Sequence, residues 1–561
     1  MKKKLLALGV ASVFGVLAMP ASAGVVTGTG PAVVVAGDGL IATPTGTTLE
    51  FNEGGVGHIL LVPYYTVQNG NATLINLVNT DTVNGKAVKV RFRGAQNSDD
   101  VFDFQVYLSP GDVWAASVTQ AADGRAQLST ADNSCTLPSN VNQPFVTGRL
   151  PGDTEAAKAA GTREGYVEIL TMADIPPNVT VPPAAETLYM TTKHKADGSV
   201  NCGTALTSLN ADILLEGPAD TAGLESPTTG LMANWTIINV PQASAWSGQA
   251  AAIEARVAAG GAAGTGNFVW FPQMSTPVAG FGGLSADPLL LAGKIAGAYY
   301  DLPDLSTPYV TAFAAGAPEA QASALTDAIA KISVSNEYIT DPGVFAQTDW
   351  VFSMPTRRYA VAIDYAAAVA ANRMIFNPGV FVTGAAYATG SYFAAAPGTA
   401  QQVGAATPVN TNSALAANIA GSGANVTRDG FSVCTQLGAG AIRVTDRSER
   451  TLAGSDFVIS PGTPTTLAFC GETNVLSFNA GGGMSVLGGE IARANIDIGS
   501  FVDGWARINT QGNPAPVLVN PSARAGLPVL GAAFVQATNP NAAPGVSGNY
   551  GAAYEHRFVR P

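Results

Sequence analysis

Residues 84–113 read NGKAVKVRFRGAQNSDDVFDFQVYLSPGDV, and this stretch decides the fold class. Asn84-Gly85 is a tight-turn dipeptide. After it, Val88, Val90 and Phe92 alternate with Lys89, Arg91 and Arg93. Successive side chains of a strand point to opposite faces. A period of two therefore predicts a strand with one buried apolar face and one wet, charged face. Phe102, Phe104, Val106 and Leu108 alternate with Asp103, Gln105 and Tyr107 in the same way. Ser109-Pro110-Gly111-Asp112 closes this second strand, and Val113 to Val118 begins a third.

The pattern extends in both directions. Upstream, Tyr65 to Val67, Asn69-Gly70-Asn71 and Thr73 to Val78 read strand, turn, strand. Downstream, strands are predicted at Gly165 to Leu170, Trp235 to Val240, Trp350 to Met354 and Tyr359 to Ile363. The last part of the chain alternates strands with Gly/Pro turns: Val433 to Leu437, Ala441 to Thr445, Leu467 to Cys470, Val475 to Phe478, Ile496 to Ile498, Gly504 to Ile508 and Tyr554 to Val559. Other stretches read differently. Residues 119–163 and 174–230 look like long ordered loops. Ala243 to Ala259 has apolar residues at helical spacing. Pro318 to Ile332 is a second helix, with Leu325, Ile329 and Ile332 on one face.

The expected fold is therefore mainly β, with antiparallel β-sandwich domains, long loops and a few inserted helices. The expected organisation is a signal peptide over 1–23, an extended N-terminal arm over 24–50 and a β-sandwich region with disulfide-tied loops over 51–242. A mixed region with helices over 243–345 and a β-rich C-terminal region over 346–561 complete it.

The first 23 residues place the protein. Lys2, Lys3 and Lys4 precede an apolar run from Leu5 to Met19, and Ala21-Ser22-Ala23 supplies the small residues of a signal-peptidase site. The run is too short and wrongly flanked for a spanning helix. The expected mature chain begins at Gly24 and works outside the inner membrane.

Composition narrows the class of function. The net charge is −12, and removal of the three leader lysines takes it to −15. Counterion-release binding to nucleic acid needs clustered Lys and Arg, so nucleic acid is not an expected partner. Only 12% of residues are charged while 47% are hydrophobic, a balance opposite to that of disordered chains. With so few solvating charges, the chain is expected to cover apolar surface with copies of itself.

Cys135, Cys202, Cys434 and Cys470 allow three pairings. In an oxidising compartment the shorter loops favour Cys135–Cys202 and Cys434–Cys470. Zinc is not indicated: Cys-x-x-Cys spacing is missing, and His58, His194 and His556 are the only histidines. His58 reads as structural, His194 as solvated and His556 as part of the terminal strand. There is no Gly-x-Ser-x-Gly elbow and no phosphate-binding loop with its lysine. No catalytic residues are assigned, and the chain is not expected to be an enzyme. Calcium is the one cofactor with a physical case, because oxygen ligands in acidic loops suit a hard cation. The candidate ligands are Asp99 and Asp100, beside Asn97, and Asp301 and Asp304. Asp99 and Asp100 otherwise read as a solvated turn.

Five blocks carry a family resemblance: GHILLVPYY (57–65), LINLVN (74–79), EGYVEI (164–169), NWTIIN (234–239) and TDWVF (348–352). They resemble a family of surface-layer and cell-surface proteins from Gram-negative bacteria. The resemblance implies a secreted structural protein on the bacterial cell surface, outside the outer membrane. Such a protein would assemble with copies of itself into a surface layer or similar coat, attached non-covalently to outer-membrane surface glycans or lipids. The alternative is a carbohydrate-binding or adhesive surface protein, with Trp246, Trp270 and Trp350 as stacking faces.

Overall fold

The computed structural model describes residues 46–147 (Asn97 excepted), Leu150, 154–177, 188–203, 224–266, 324–356, 437, 440–452, 467–479, 485–510 and 526–561 (Gly545 excepted). Backbone pairing alone is described for 26–27, 269–270, 362–363, 374–376, 401–402 and 434–436. Among the described residues, no helix is long and apolar enough to cross a membrane.

The first half is built from β1 (Thr48–Asn52), β2 (Ile59–Thr66), β3 (Asn71–Asn79), β4 (Gly85–Gly94), β5 (Asp100–Leu108) and β6 (Val113–Gln120). It continues through β7 (Ala126–Ser129), β8 (Cys135–Leu137), the short helix α1 (Glu155–Gly161) and β9 (Glu164–Ile175). One helical turn, α2 (Leu188–Thr192), precedes β10 (Leu231–Asn239), β11 (Ser244–Gln249) and β12 (Ala251–Arg256). Between β2 and β3 the turn predicted at Asn69-Gly70 puts both residues in the left-handed backbone region, at φ 54° and 78°. Asn and Gly enter that region at the lowest cost, which is why the dipeptide reads as a turn.

These strands form two antiparallel sheets, one seven-stranded in the order β1-β12-β2-β9-β4-β5-β8, the other five-stranded in the order β11-β10-β3-β6-β7. They face each other across one core. Val90, Phe92, Phe104 and Val167 come from the larger sheet, and Ile75, Leu77, Trp114 and Trp235 from the smaller. Phe145 stacks on Phe102 with ring centroids 4.7 Å apart and lies 5.0 Å from Phe92. Such ring pairs add about 0.5–1.5 kcal/mol each beyond the area they bury.

The second half contains β13 (Ala330–Lys331), β14 (Ser333–Ile339), β15 (Gln347–Ser353), β16 (Ile442–Asp446), β17 (Thr473–Asn479) and β18 (Arg493–Asp497). It ends with β19 (Asp503–Asn509), β20 (Leu527–Pro528), β21 (Ala532–Ala543), β22 (Val546–Glu555) and β23 (Arg557–Val559). A four-stranded sheet, β16-β19-β14-β23, packs on a five-stranded one, β18-β17-β15-β21-β22. β17 and β18 pair in parallel, a departure from the antiparallel expectation. The 13-residue connection from β17 to β18 is long enough to return the chain for that geometry.

The five-stranded sheet of this second sandwich has no wet face in its middle. Trp350, Phe352, Leu476 and Ala533 enter the second core. Their neighbours Val351, Val475, Ala532 and Phe534 enter the first core. The Phe534 ring lies 6.3 Å from Tyr64 and 5.6 Å from Trp235. Strand periodicity thus splits one sheet between two cores and joins the sandwiches into a continuous body.

Several sequence expectations are corrected. The stretch from Ala243 to Ala259 is not helical: it holds β11 and β12, with Trp246 opposite Ile237 and Ile253 paired to both Ile59 and Phe51. Helix propensity is a weak preference, and the burial of Trp246 and Ile253 on a pleated surface outweighs it here. β12 therefore belongs to the first sandwich, although it falls within the region expected to be mixed. The helix expected over Pro318–Ile332 is described only from residue 324. It ends at residue 329, directly before β13, with Leu325 and Ile329 buried. The expected loops at 119–163 and 174–230 contain β7, β8, α1, α2 and the last residues of β9. Tyr554–Val559 is not one strand but a corner at His556 that passes from one sheet to the other.

Candidate functional site

The charged faces of β4 and β5, expected to be wet, are buried instead, and so is the face of β9 beside them. Lys89, Arg91, Arg93, Asp103 and Glu168 are each no more than 3% exposed. Register explains how charges are accommodated there. Arg91 of β4 sits directly between Glu168 of β9 and Asp103 of β5, and Arg93 sits between Tyr166 and Asp100. The Arg91 guanidinium reaches Glu168 Oε2 at 3.0 Å, and Arg93 Nε donates to the same oxygen at 3.1 Å. Lys89 Nζ donates to Asp103 Oδ1 at 2.6 Å. Lys86, at the start of β4 and on the same side as Val88, is buried as well: its Nζ lies 2.7 Å from Asp174 and 3.0 Å from Asp81, and also donates to Thr228 Oγ1 at 2.7 Å. A row of cations on the central strand is thus flanked by acids on both neighbours. Burial pushes the Lys89 amine below its ordinary value against the opposing pull of Asp103 and Asp100. Burial likewise raises Asp174, against the pull of Lys86. These groups are committed to one another and face no solvent, so they hold the sheet and do not serve as an open ligand surface.

The other sequence candidates fall in distinct places. Asp99 and Asp100 are each 1% exposed, not a solvated turn, and Asp100 faces Arg93. Asn97, Asp301 and Asp304 lie outside the described residues. Among the described residues no group of three or more His, Cys, Asp or Glu side chains could hold a metal ion. Cys135 and Cys202 are bonded, which ties the edge strand β8 to the segment after α2. The backbone at 434–436 pairs with 468–470, with Cys434 directly opposite Cys470. Trp246 and Trp350 are buried and donate to the carbonyls of Val535 and Glu337, each at 2.8 Å. They serve the two cores and are not exposed stacking faces. Of Trp270 only the backbone is described.

The histidines divide by burial. His58 is buried at the start of β2, accepts from the Ala255 amide at Nδ1 and is pushed down to about 3 by burial and by Lys86. His194 is part-exposed, 3.5 Å from an Asp112 oxygen. His556 is buried at the corner between β22 and β23 and stacks on Phe352 at 4.6 Å. Its Nε2 lies 2.9 Å from the Val351 carbonyl, and its Nδ1 lies 3.0 Å from Asn336 Nδ2. A carbonyl can only accept, so the proton is on Nε2 and Nδ1 accepts from the Asn336 amide. Burial holds this ring neutral, with its pKa lowered to about 3.

A groove of about 440 Å³ lies where the two sandwiches meet. Trp235 and Ala250–Ala252 line it from the first sandwich, Leu530–Ala532 and Glu555–Phe558 from the second. Lys331, on β13, lines it and is 5% exposed. Its Nζ lies 4.5 Å from the centroid of the Phe558 ring. The Arg560 guanidinium lies 5.3 Å from the same ring and 4.8 Å from Phe51, whose ring meets Phe558 edge-on at 6.2 Å. Burial, then the nearby Arg560 charge, lowers the Lys331 amine to about 7, with Glu555 opposing weakly. Sequence reasoning missed Lys331. A single cation between Ala330 and Ile332 carries no signal until β13 pairs with β20 and the Phe558 ring of β23 lies against the amine.

No protein-family model, curated protein or solved structure matches this chain.

Proposed function

We propose that the protein is a secreted structural component of a bacterial cell surface that assembles with copies of itself into a coat. The observation that carries this reading is the outer strand β22. It is the last strand of its sheet, and Val546, Tyr550 and Tyr554, spaced four residues apart on one face, are 54%, 60% and 40% exposed. Its ten residues contain one charge, Glu555. Soluble proteins usually blunt an exposed edge with charges, prolines or short length, because its free backbone groups pair readily with another chain. A long edge with aromatic side chains and a single charge suits contact with a second copy. The leader, the low charge content and the resemblance to surface-layer proteins point the same way. A contact that does not close on itself gives an open array, which is what a coat requires.

The test is light scattering and electron microscopy of the mature chain, with and without calcium, beside a Tyr550→Lys/Tyr554→Lys variant. We expect large assemblies or ordered sheets from the native chain and smaller species from the variant. A monomer at high concentration with calcium present and the N-terminus intact would contradict the proposal.

A further inference from the structure

We propose that the groove between the sandwiches binds a small carboxylate-bearing molecule with a planar apolar body, and that the Lys331 ammonium meets its carboxylate. The inference goes beyond assembly and does not depend on it.

Three observations carry it. The groove, at about 440 Å³, lies within the range of about 300–1,000 Å³ typical of small-molecule sites, and it lies between two packed bodies, a frequent place for them. Lys331 is 5% exposed, its amine is at the groove wall, and no ion pair with it exists among the described residues. Its close neighbour is the face of an aromatic ring, which attracts a cation but supplies much less than a carboxylate would. Finally, Phe51 and Phe558 line the same groove, so aromatic residues form its wall beside the amine and can pack against a ring-bearing ligand.

The charged and titratable groups around the amine define the sign. Arg560 lies over the same two rings, while Glu555 lies on β22 and Glu53 follows β1. Arg557 and the neutral His556 complete the set from the β22–β23 corner. A singly charged carboxylate placed at Nζ relieves the Lys331–Arg560 repulsion, whereas a cation would add to it. A dianion would meet Glu53 and Glu555. The bound carboxylate also favours the charged amine, so binding above neutral pH must draw a proton from solvent.

The experiment is isothermal titration calorimetry of the full mature chain with 1-naphthoate as the probe, at pH 8 in two buffers of different ionisation enthalpy. We expect saturable binding with net proton uptake. The neutral analogue 1-naphthol should bind at least about ten-fold more weakly, with no proton uptake. Lys331→Met, of similar length and checked for folding by circular dichroism, should lose naphthoate affinity by about ten-fold or more. Absence of saturable binding would overturn the proposal, as would equal affinity for 1-naphthol in the native chain or unchanged naphthoate affinity in the folded Lys331→Met chain.

Discussion

β4 and β19 carry the same kind of sequence and end in opposite environments. In β4 the apolar Val88, Val90 and Phe92 alternate with Lys89, Arg91 and Arg93, and all ten residues of the strand are buried. In β19 Ala506 and Ile508 are buried while Trp505, Arg507 and Asn509 are exposed. Alternation predicts a strand and names its core residues, but it does not say whether the other face meets water. Cross-strand partners do. Each of the β4 arginines has an acid beside it on a neighbouring strand, whereas Arg507 faces Arg443 on one side and Ser335 on the other. Like charges facing each other are tolerable only where water screens them.

The largest expected effect breaks this contrast directly. Glu168→Ala leaves Arg91 and Arg93 short of their shared carboxylate and should destabilise the fold by about 3–5 kcal/mol in urea titrations. A loss of only a few tenths would mean that this face is as wet as that of β19. Next in size is the staple on the edge of the first sandwich. Replacing Cys135 and Cys202 with serine should cost about 2–4 kcal/mol. In the native chain, non-reducing peptide mapping should join Cys434 to Cys470, and a Cys135–Cys434 link would contradict the register described above.

A smaller effect depends on pH and probes the second sandwich. His556 has a folded pKa of about 3 against 6.5 in the unfolded chain, so on acidification the unfolded chain takes up the proton first. Its contribution to stability is therefore present above 6.5 and is lost as the pH falls towards 3, by about 1.4 kcal/mol per pH unit. Across pH 6.5 to 4.5 the stability advantage of the native chain over His556→Gln should shrink at that slope. A pH-independent difference would place a charged imidazole in the core. The smallest effect is the control: Arg507→Ala on the exposed face of β19 should change stability by no more than about 0.5 kcal/mol.

Much of the strand layout was legible because turn dipeptides and period-two runs are local signals. Asn69-Gly70 and the alternation of Phe102 to Leu108 needed no partner to be understood. β11 and β12 were not legible, because Ala250, Ile253 and Val257 fit a helical stripe as well as a strand, and only pairing to β10, β2 and β1 decides between them. β21 lacked a signal for a different reason. Its Ala532 and Phe534 serve one core and Ala533 the other, so the run is apolar on both faces and shows no alternation. Lys331 and the buried charges of β4 share this difficulty. Their chemistry is set by which residues stand opposite, a property of the assembled sheets and not of any short window of sequence.

The central claim is that the charged face of β4 is internal, which leaves contacts such as the β22 edge to meet partners. A double-mutant cycle on Lys89 and Asp103, whose side chains are each 1% exposed, tests it most directly. The account predicts a coupling of about 2 kcal/mol that hardly changes between low and high salt. A coupling below about 0.5 kcal/mol that fades with salt, as exposed pairs show, would contradict it.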